Sequence, residues 1–179
     1  LYRLVLPEAV QAVLAGDDNP APRSDDPRFF GNSVVTIASA ALSLTAAAEE
    51  ARKRGIGAAI LSDSIEGEAR DVALVHAAIA KEIAGRNQPF AKPVVLLSGG
   101  ETTVTLRGTG RGGRNGEFLL ALAIALDGVA GVTALAGDTD GIDGSEDNAG
   151  AFVDGTSAQR MRAAGIDPLA AQANNDAYS

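Results

Sequence analysis

The sequence predicts an α/β protein, a layered strand–helix region followed by a second α/β region with a mixed sheet. Two observations carry this. Short apolar runs alternate with amphipathic helical patterns between residues 33 and 97, and such alternation means parallel strands with helices on their faces. From residue 98 onward the pattern changes, with Thr103 and Thr105 set against Val104 and Leu106, the mark of a strand with one wet face, antiparallel or at an edge.

In chain order, Leu6, Val10, Val13 and Leu14 have helical spacing that Gly16 ends. Asp17 to Phe30 holds Pro20, Pro22, Pro27 and four Asp, and reads as a polar surface loop. Val34 to Ile37 is expected to be a short buried strand. Leu44, Ala47, Ala48 and Ala51 share a helical face that ends at Gly55, and Ala58 to Leu61 is the next strand. Val72, Val75, Ile79 and Ile83 line a second helix, expected to close at Gly85, and Val94 to Leu97 is the third strand. Ser98-Gly99-Gly100 reads as a turn into the strand Thr102 to Leu106. A loop from Gly108 to Arg114 follows, then a helix carrying Phe118, Leu122 and Ala125 that Asn115 is placed to cap. Val132 to Leu135 is a strand leading to an acidic loop, Asp138 to Asp147, and Ala151 to Val153 is a further strand. Thr156 and Gln159 have capping-box spacing for a helix that Gly165 ends, and Asp167-Pro168 opens a last turn or helix. Pro89 and Pro93 interrupt the chain near residues 88–92, where a domain boundary is expected.

Composition narrows the chemistry. The 179 residues carry a net charge of −8, which disfavours nucleic acid and anionic membranes as partners. Without Cys, there is no disulfide, thiolate chemistry or Cys-ligated zinc. A lone histidine, His76, gives no His-rich metal site, and a Ser-His-Asp triad is not expected from it; a satisfied helix histidine is the reading. No apolar run has membrane-span length and no signal peptide opens the chain, so a cytoplasmic protein is expected. Only three of the 15 basic residues are Lys, so an anion site would be read by Arg, whose planar fork suits carboxylate and phosphate.

Three segments are candidates for chemistry. Ser98-Gly99-Gly100-Glu101-Thr102-Thr103 lies at the C-terminal end of a strand, where α/β proteins bind ligands, and its paired glycines offer N–H groups to an anion; the plainer reading is a tight turn. Gly108 to Asn115 places four Gly and two Arg in its first seven residues, before a helix N-terminus, a combination suited to phosphate or carboxylate; the plainer reading is a solvated loop. Gly108, Gly110 and Gly113 also satisfy G-x-G-x-x-G, but the half-wet strand before them and the Arg residues inside the turn argue against dinucleotide binding. Asp138 to Asp147 carries five carboxylates in ten residues, which repel unless a cation or Arg sits among them. It lacks the EF-hand pattern; one or two of its carboxylates suit Mg²⁺ brought by a phosphate substrate, and the plainer readings are a solvated turn or partners for Arg111 and Arg114. No Walker A sequence is present.

In this order, Ser98-Gly99-Gly100-Glu101-Thr102-Thr103-Val104, Gly110-Arg111-Gly112-Gly113-Arg114-Asn115 and Asp140-Gly141-Ile142-Asp143-Gly144, continued by Ala149-Gly150-Ala151 and Asn175-Asp176, resemble the MOFRL signature, the C-terminal domain of glycerate 2-kinases that are often labelled hydroxypyruvate reductases. The resemblance covers about residues 93–179, and the α/β pattern with Gly67-Glu68-Ala69-Arg70 before it resembles the end of that family's N-terminal Rossmann-like domain. It implies a boundary with 1–91 on one side and 92–179 on the other, the latter incomplete at its C-terminus. It further implies ATP-dependent phosphorylation of D-glycerate at the 2-hydroxyl, with Mg²⁺, in a site between two domains.

By the same resemblance Arg114 is an essential cation that clamps a carboxylate or the transferring phosphoryl group. Asp140 shares the catalytic role, and Asp140 or Asp143 holds Mg²⁺ or accepts the hydroxyl proton. Gly99, Gly100, Glu101, Thr102, Arg111, Gly112, Gly113 and Asn115 contact substrate or nucleotide. Glycerate and nucleotide are the implied small-molecule partners, and a homodimer is compatible with the sequence. The chain departs from the family at Gly116, where Gln is usual, and the family's N-terminal catalytic Lys, its glycine-rich segments and its closing segment have no match here. These 179 residues alone are therefore expected to carry half a site. An NAD(P)H-dependent hydroxypyruvate reductase and a noncatalytic ligand-binding module are the alternatives.

Overall fold

The computed structural model describes residues 5–16 and 21–179; Asp17, Asp18 and Pro20 of the polar loop lie outside the described residues. The chain divides into two compact units, Leu1–Ile37 and Ala38–Ser179.

In the first unit, helix α1 spans Glu8–Ala15 and buries no residue. Pro27–Phe29 forms a 3-10 turn, where the Asp26 side chain accepts the Arg28 N–H at 2.9 Å. The buried strand expected at Val34 to Ile37 does not form: the segment is unpaired and Val34 is 95% exposed. Strand propensity expresses a fit to a pleated, half-buried surface, and among the described residues no neighbouring strand supplies one here.

The second unit opens with α2 (Ala40–Lys53), where Ser39 Oγ accepts the Leu42 N–H at 3.2 Å. Strand β1 (Gly57–Glu68), helix α3 (Ala69–Arg86) and strand β2 (Val94–Thr103) follow. β1 and β2 pair in parallel from Gly57↔Val94 to Glu68↔Thr103, with register shifts between Ile60 and Ser62 and between Ser62 and Ile65. The pairing bears out a parallel β–α–β unit.

Two expectations give way. α3 runs through Gly85 and ends at Asn87, whose left-handed conformation (φ 57°) directs its N–H to the Ile83 carbonyl; a short polar side chain tolerates that conformation. The turn expected at Ser98-Gly99-Gly100 is also absent, because β2 continues through it and stays parallel. Gly100 lies beside the second register shift with φ 154°, and a Cβ there would stand 2.0 Å from the Ile65 carbonyl oxygen. Its glycine thus permits a close strand approach at an irregularity rather than a reversal.

α4 (Arg114–Ala125) is buried on most sides, since it packs on α3 and also against β3 (Thr133–Gly137) and β4 (Gly150–Asp154). Leu119, Leu122 and Leu126 meet Ala73 and Ala77 of α3, small side chains one turn apart that let the helices approach. β3 and β4 are antiparallel, with Leu135 opposite Phe152, so the unit contains both a parallel and an antiparallel pair, the expected mixed α/β fold. α5 (Ser157–Ala163) lacks the capping-box bond expected from Thr156; the Thr156 hydroxyl donates to Asp154 instead, at 2.7 Å. In α6 (Pro168–Ala173) the Asp167 side chain accepts the Leu169 N–H at 2.9 Å. Among the described residues no helix is long and apolar enough to cross a membrane.

Candidate active site

The N-terminus of α4 is where the three sequence segments meet. Arg114 is its first residue, preceded by Gly113. One guanidinium nitrogen donates to Asp138 Oδ2 at 3.0 Å and the other to Glu101 Oε1. These bonds, Asp138 first, raise the Arg114 pKa further above its ordinary value. Glu101 comes from the end of β2 and Asp138 from the residue after β3, so strand ends deliver both carboxylates to the helix start. Glu101 is 77% exposed and Asp138 22%, which makes Glu101 the partner an incoming anion displaces more easily.

Asp143 takes a different part from the one expected. It is 1% exposed. One carboxylate oxygen accepts the Asn115 N–H at 2.9 Å and the Asn115 side-chain amide at 3.2 Å; the other accepts the Gly116 N–H at 2.7 Å. It therefore satisfies two of the orphan donors of α4 and sets a negative charge against the positive end of the helix. The cap expected of Asn115 is supplied by Asp143 instead, while Asn115 sits inside the first turn. Gly113 is needed for this: a Cβ there would stand 2.4 Å from Asp143.

Asp140 is exposed and folds one oxygen onto the Ile142 N–H at 3.0 Å. It lines a cavity of about 430 Å³ together with Gly112, Gly113, Arg114 and Asp138. A second cavity of about 530 Å³ is lined by Gly99, Gly100, Glu101, Thr102 and Asn115, and again by Arg114 and Asp138. The arginine–carboxylate cluster thus borders both.

Arg111 is directed elsewhere. Its guanidinium donates to Glu146 and lies 4.5 Å from the centroid of the Tyr178 ring, and the Glu146 bond first raises its pKa. The glycine-rich loop was expected to turn its N–H groups toward an anion. Those of Arg107 and Gly108 are taken by Asn175 Oδ1 (2.6 and 3.1 Å), that of Thr109 by Asn174 Oδ1 (3.1 Å), and those of Gly110 and Arg111 by the Asn174 carbonyl and Asp176 Oδ1 (2.9 and 3.3 Å). The protein's own chain occupies these five donors.

Beneath the site lies a network that the sequence reading missed. Glu117, 2% exposed, accepts from Arg70 at 3.3 Å and from the Asn175 amide at 2.8 Å. A carboxylate set directly before the uninterrupted apolar run Phe118 to Leu126 was the available signal. His76 is a satisfied helix histidine, as the sequence reading expected: Nδ1 meets the Val72 carbonyl at 2.8 Å, and Nε2 lies 3.0 Å from Ser98 Oγ, a pairing the sequence did not reveal. Among the described residues no group of three or more His, Asp or Glu side chains is arranged to hold a metal ion.

The ends of β2 and β3 bring two carboxylates to an arginine at the N-terminus of α4, which gives this α/β protein a candidate site for a small anion. Residues 94–179 match the model of the MOFRL family. An Agrobacterium vitis protein provisionally named a hydroxypyruvate reductase is 51% identical over 180 residues, covering 99% of this chain and 46% of that protein. The D-glycerate 2-kinase of Thermotoga maritima is 43% identical over 129 residues, 72% of this chain and 31% of that enzyme. The crystal structure of a Thermotoga maritima glycerate kinase superposes with a TM-score of 0.79 at 41% identity, covering 82% of this chain and 35% of that one. The chain thus spans about half or less of the length of these relatives.

Proposed function

We propose that this chain is part of a glycerate 2-kinase that transfers the γ-phosphoryl group of ATP to the 2-hydroxyl of D-glycerate, giving 2-phosphoglycerate. Residues 1–91 would be the end of the N-terminal Rossmann-like domain and 92–179 the MOFRL domain, incomplete at its C-terminus, with the site between them in the intact protein. The observation that carries the reading is Arg114, held at the start of α4 by Glu101 and Asp138 on the border of two cavities. Phosphoryl transfer asks for positioning and charge stabilisation rather than a covalent nucleophile. The glycerate oxygen attacks the γ-phosphorus, the bond to ADP breaks, and the hydroxyl proton passes to a carboxylate. Arg114 binds the substrate carboxylate or the developing phosphoryl charge, displacing the exposed Glu101.

Asp140, exposed with one oxygen committed to Ile142, fits the one or two carboxylates that suffice for Mg²⁺ carried on phosphate, or it takes the proton. Asp143, buried and engaged by α4, fits neither task, and Arg111 acts by fastening the loop. The names of the kinase relatives support ATP and glycerate as ligands. A homodimer and a cytoplasmic location belong to the same proposal.

The test is phosphoryl transfer from ATP to D-glycerate by the intact protein, with Arg114→Ala beside it. The expected result is product from the parent and a fall in kcat/KM of about 100-fold or more in the variant. The 179-residue chain alone is expected to show no turnover. Oxidation of NAD(P)H with hydroxypyruvate, without phosphoryl transfer, would establish instead the reductase that the Agrobacterium vitis names suggest; silence in both assays would leave a binding module.

A further inference from the structure

One wall of the larger cavity is not used by the phosphoryl-transfer residues. There His76 of α3 faces Ser98 of β2, with Nε2 and Oγ 3.0 Å apart. The other ring nitrogen, Nδ1, lies 2.8 Å from the Val72 carbonyl oxygen. A carbonyl only accepts, so in the neutral imidazole Nδ1 carries the proton and Nε2 is a bare acceptor. The Ser98 hydroxyl hydrogen is then committed to His76, and what Ser98 can offer a ligand is its oxygen lone pairs. Phe118 fixes the ring from the side, edge-on at 5.2 Å and 82°.

Phe118 is one helical turn beyond Arg114 on α4, and Arg114, Phe118, His76 and Ser98 all line this one cavity. The carboxylates of Glu101 and Asp138 in the same cavity are directed to Arg114. The wall therefore combines a cation with a neutral hydrogen-bond acceptor of fixed polarity. That pair selects a small acid which also carries an O–H donor, and it discriminates against an acid without one, because the oriented Ser98 oxygen would lose its partner.

We propose that Ser98 is a specificity-determining residue that accepts a hydrogen bond from a hydroxyl of the hydroxy acid, and that His76 is the positioning residue that sets its polarity. The proposal rests on the glycerate reading of the same site. Two measurements test it. In the 179-residue chain His76 is the single histidine, so a long-range ¹H–¹⁵N spectrum of the neutral ring reports its tautomer directly. Nδ1–H is expected, with the Nε2 resonance moved by Ser98→Ala; an Nε2–H ring would overturn the proposal.

In the intact protein, Ser98→Ala and His76→Phe are each expected to raise KM for D-glycerate about tenfold, the worth of one oriented hydrogen bond, with KM for ATP unchanged. The double variant should be no worse than either single one, and His76→Gln, which keeps an acceptor, should recover most of the loss. An unchanged KM for glycerate, or additive losses, would sink it. An intact protein without kinase activity would instead remove the kinase reading, and calorimetric D-glycerate binding by wild type and Ser98→Ala would then decide this inference alone, equal affinities overturning it.

Discussion

Gly100 carries the tightest constraint in the β1–β2 ladder. Its φ of 154° suits glycine, and any side chain would run into the Ile65 backbone. Gly100→Ala is expected to cost about 3 kcal/mol through strain and overpacking together, read as a lowered unfolding midpoint in urea; a loss under about 1 kcal/mol would mean that the strands can separate at this point. Arg114 illustrates a second feature at this scale. Its planar fork contacts two carboxylates from different strands, a geometry that a lysine cannot reproduce.

At the scale of elements, α4 begins without a local cap and depends on Asp143, 27 to 28 residues distant. Asp143→Ala should destabilise the fold by about 2 kcal/mol, since it leaves helix donors orphaned, and should speed hydrogen exchange at Asn115 and Gly116 before the rest of α4. Protection unchanged at those amides would show that another group supplies the cap.

The junction of β4 and α5 predicts a pH dependence. Asp154 accepts from the Thr156 hydroxyl and N–H, and then from Arg160, and these hold its pKa at about 2, below the ordinary 3.8. A folded pKa below the unfolded one contributes stability that is complete above pH 3.8 and is lost as pH falls through about 2. In thermal unfolding between pH 5 and pH 2, the margin of wild type over Asp154→Asn should shrink on the acid side; a constant margin would contradict the assignment.

Across the whole second unit, one polar chain ties distant pieces together. Glu68 at the end of β1 accepts from the Thr105 N–H and hydroxyl (3.1 and 2.9 Å). Arg70 lies between Glu68 and Glu117, at 3.5 and 3.3 Å, and Glu117 holds Asn175, which in turn holds the glycine-rich loop. Breaking a buried pair strands the remaining charge, so Arg70→Met should cost about 3–5 kcal/mol. Adding Glu117→Leu should restore part of that, and no recovery in urea unfolding would show that the pair does more than satisfy itself.

Much of the fold was legible in the sequence. Apolar periodicity located the helices and most strands, glycine and proline marked several of their ends, and the absence of Cys with the preponderance of Arg over Lys narrowed the chemistry. The three segments that the sequence singled out do converge at α4, with Arg114, Asp138 and Glu101 in contact. The periodicity, the element ends and the segments themselves are properties of local pattern, which a few consecutive residues determine; their meeting at α4 is not.

The tertiary structure decided the partners. It assigned Asp143 to the helix start and Arg111 to Glu146, engaged the N–H groups of residues 107–111 with Asn174, Asn175 and Asp176, and paired His76 with Ser98. It also kept Ser98-Gly99-Gly100 in a strand and left Val34 to Ile37 unpaired. Most of these contacts join residues more than twenty positions apart, so which donor meets which acceptor depends on how the elements pack, and neighbouring sequence carries no record of that.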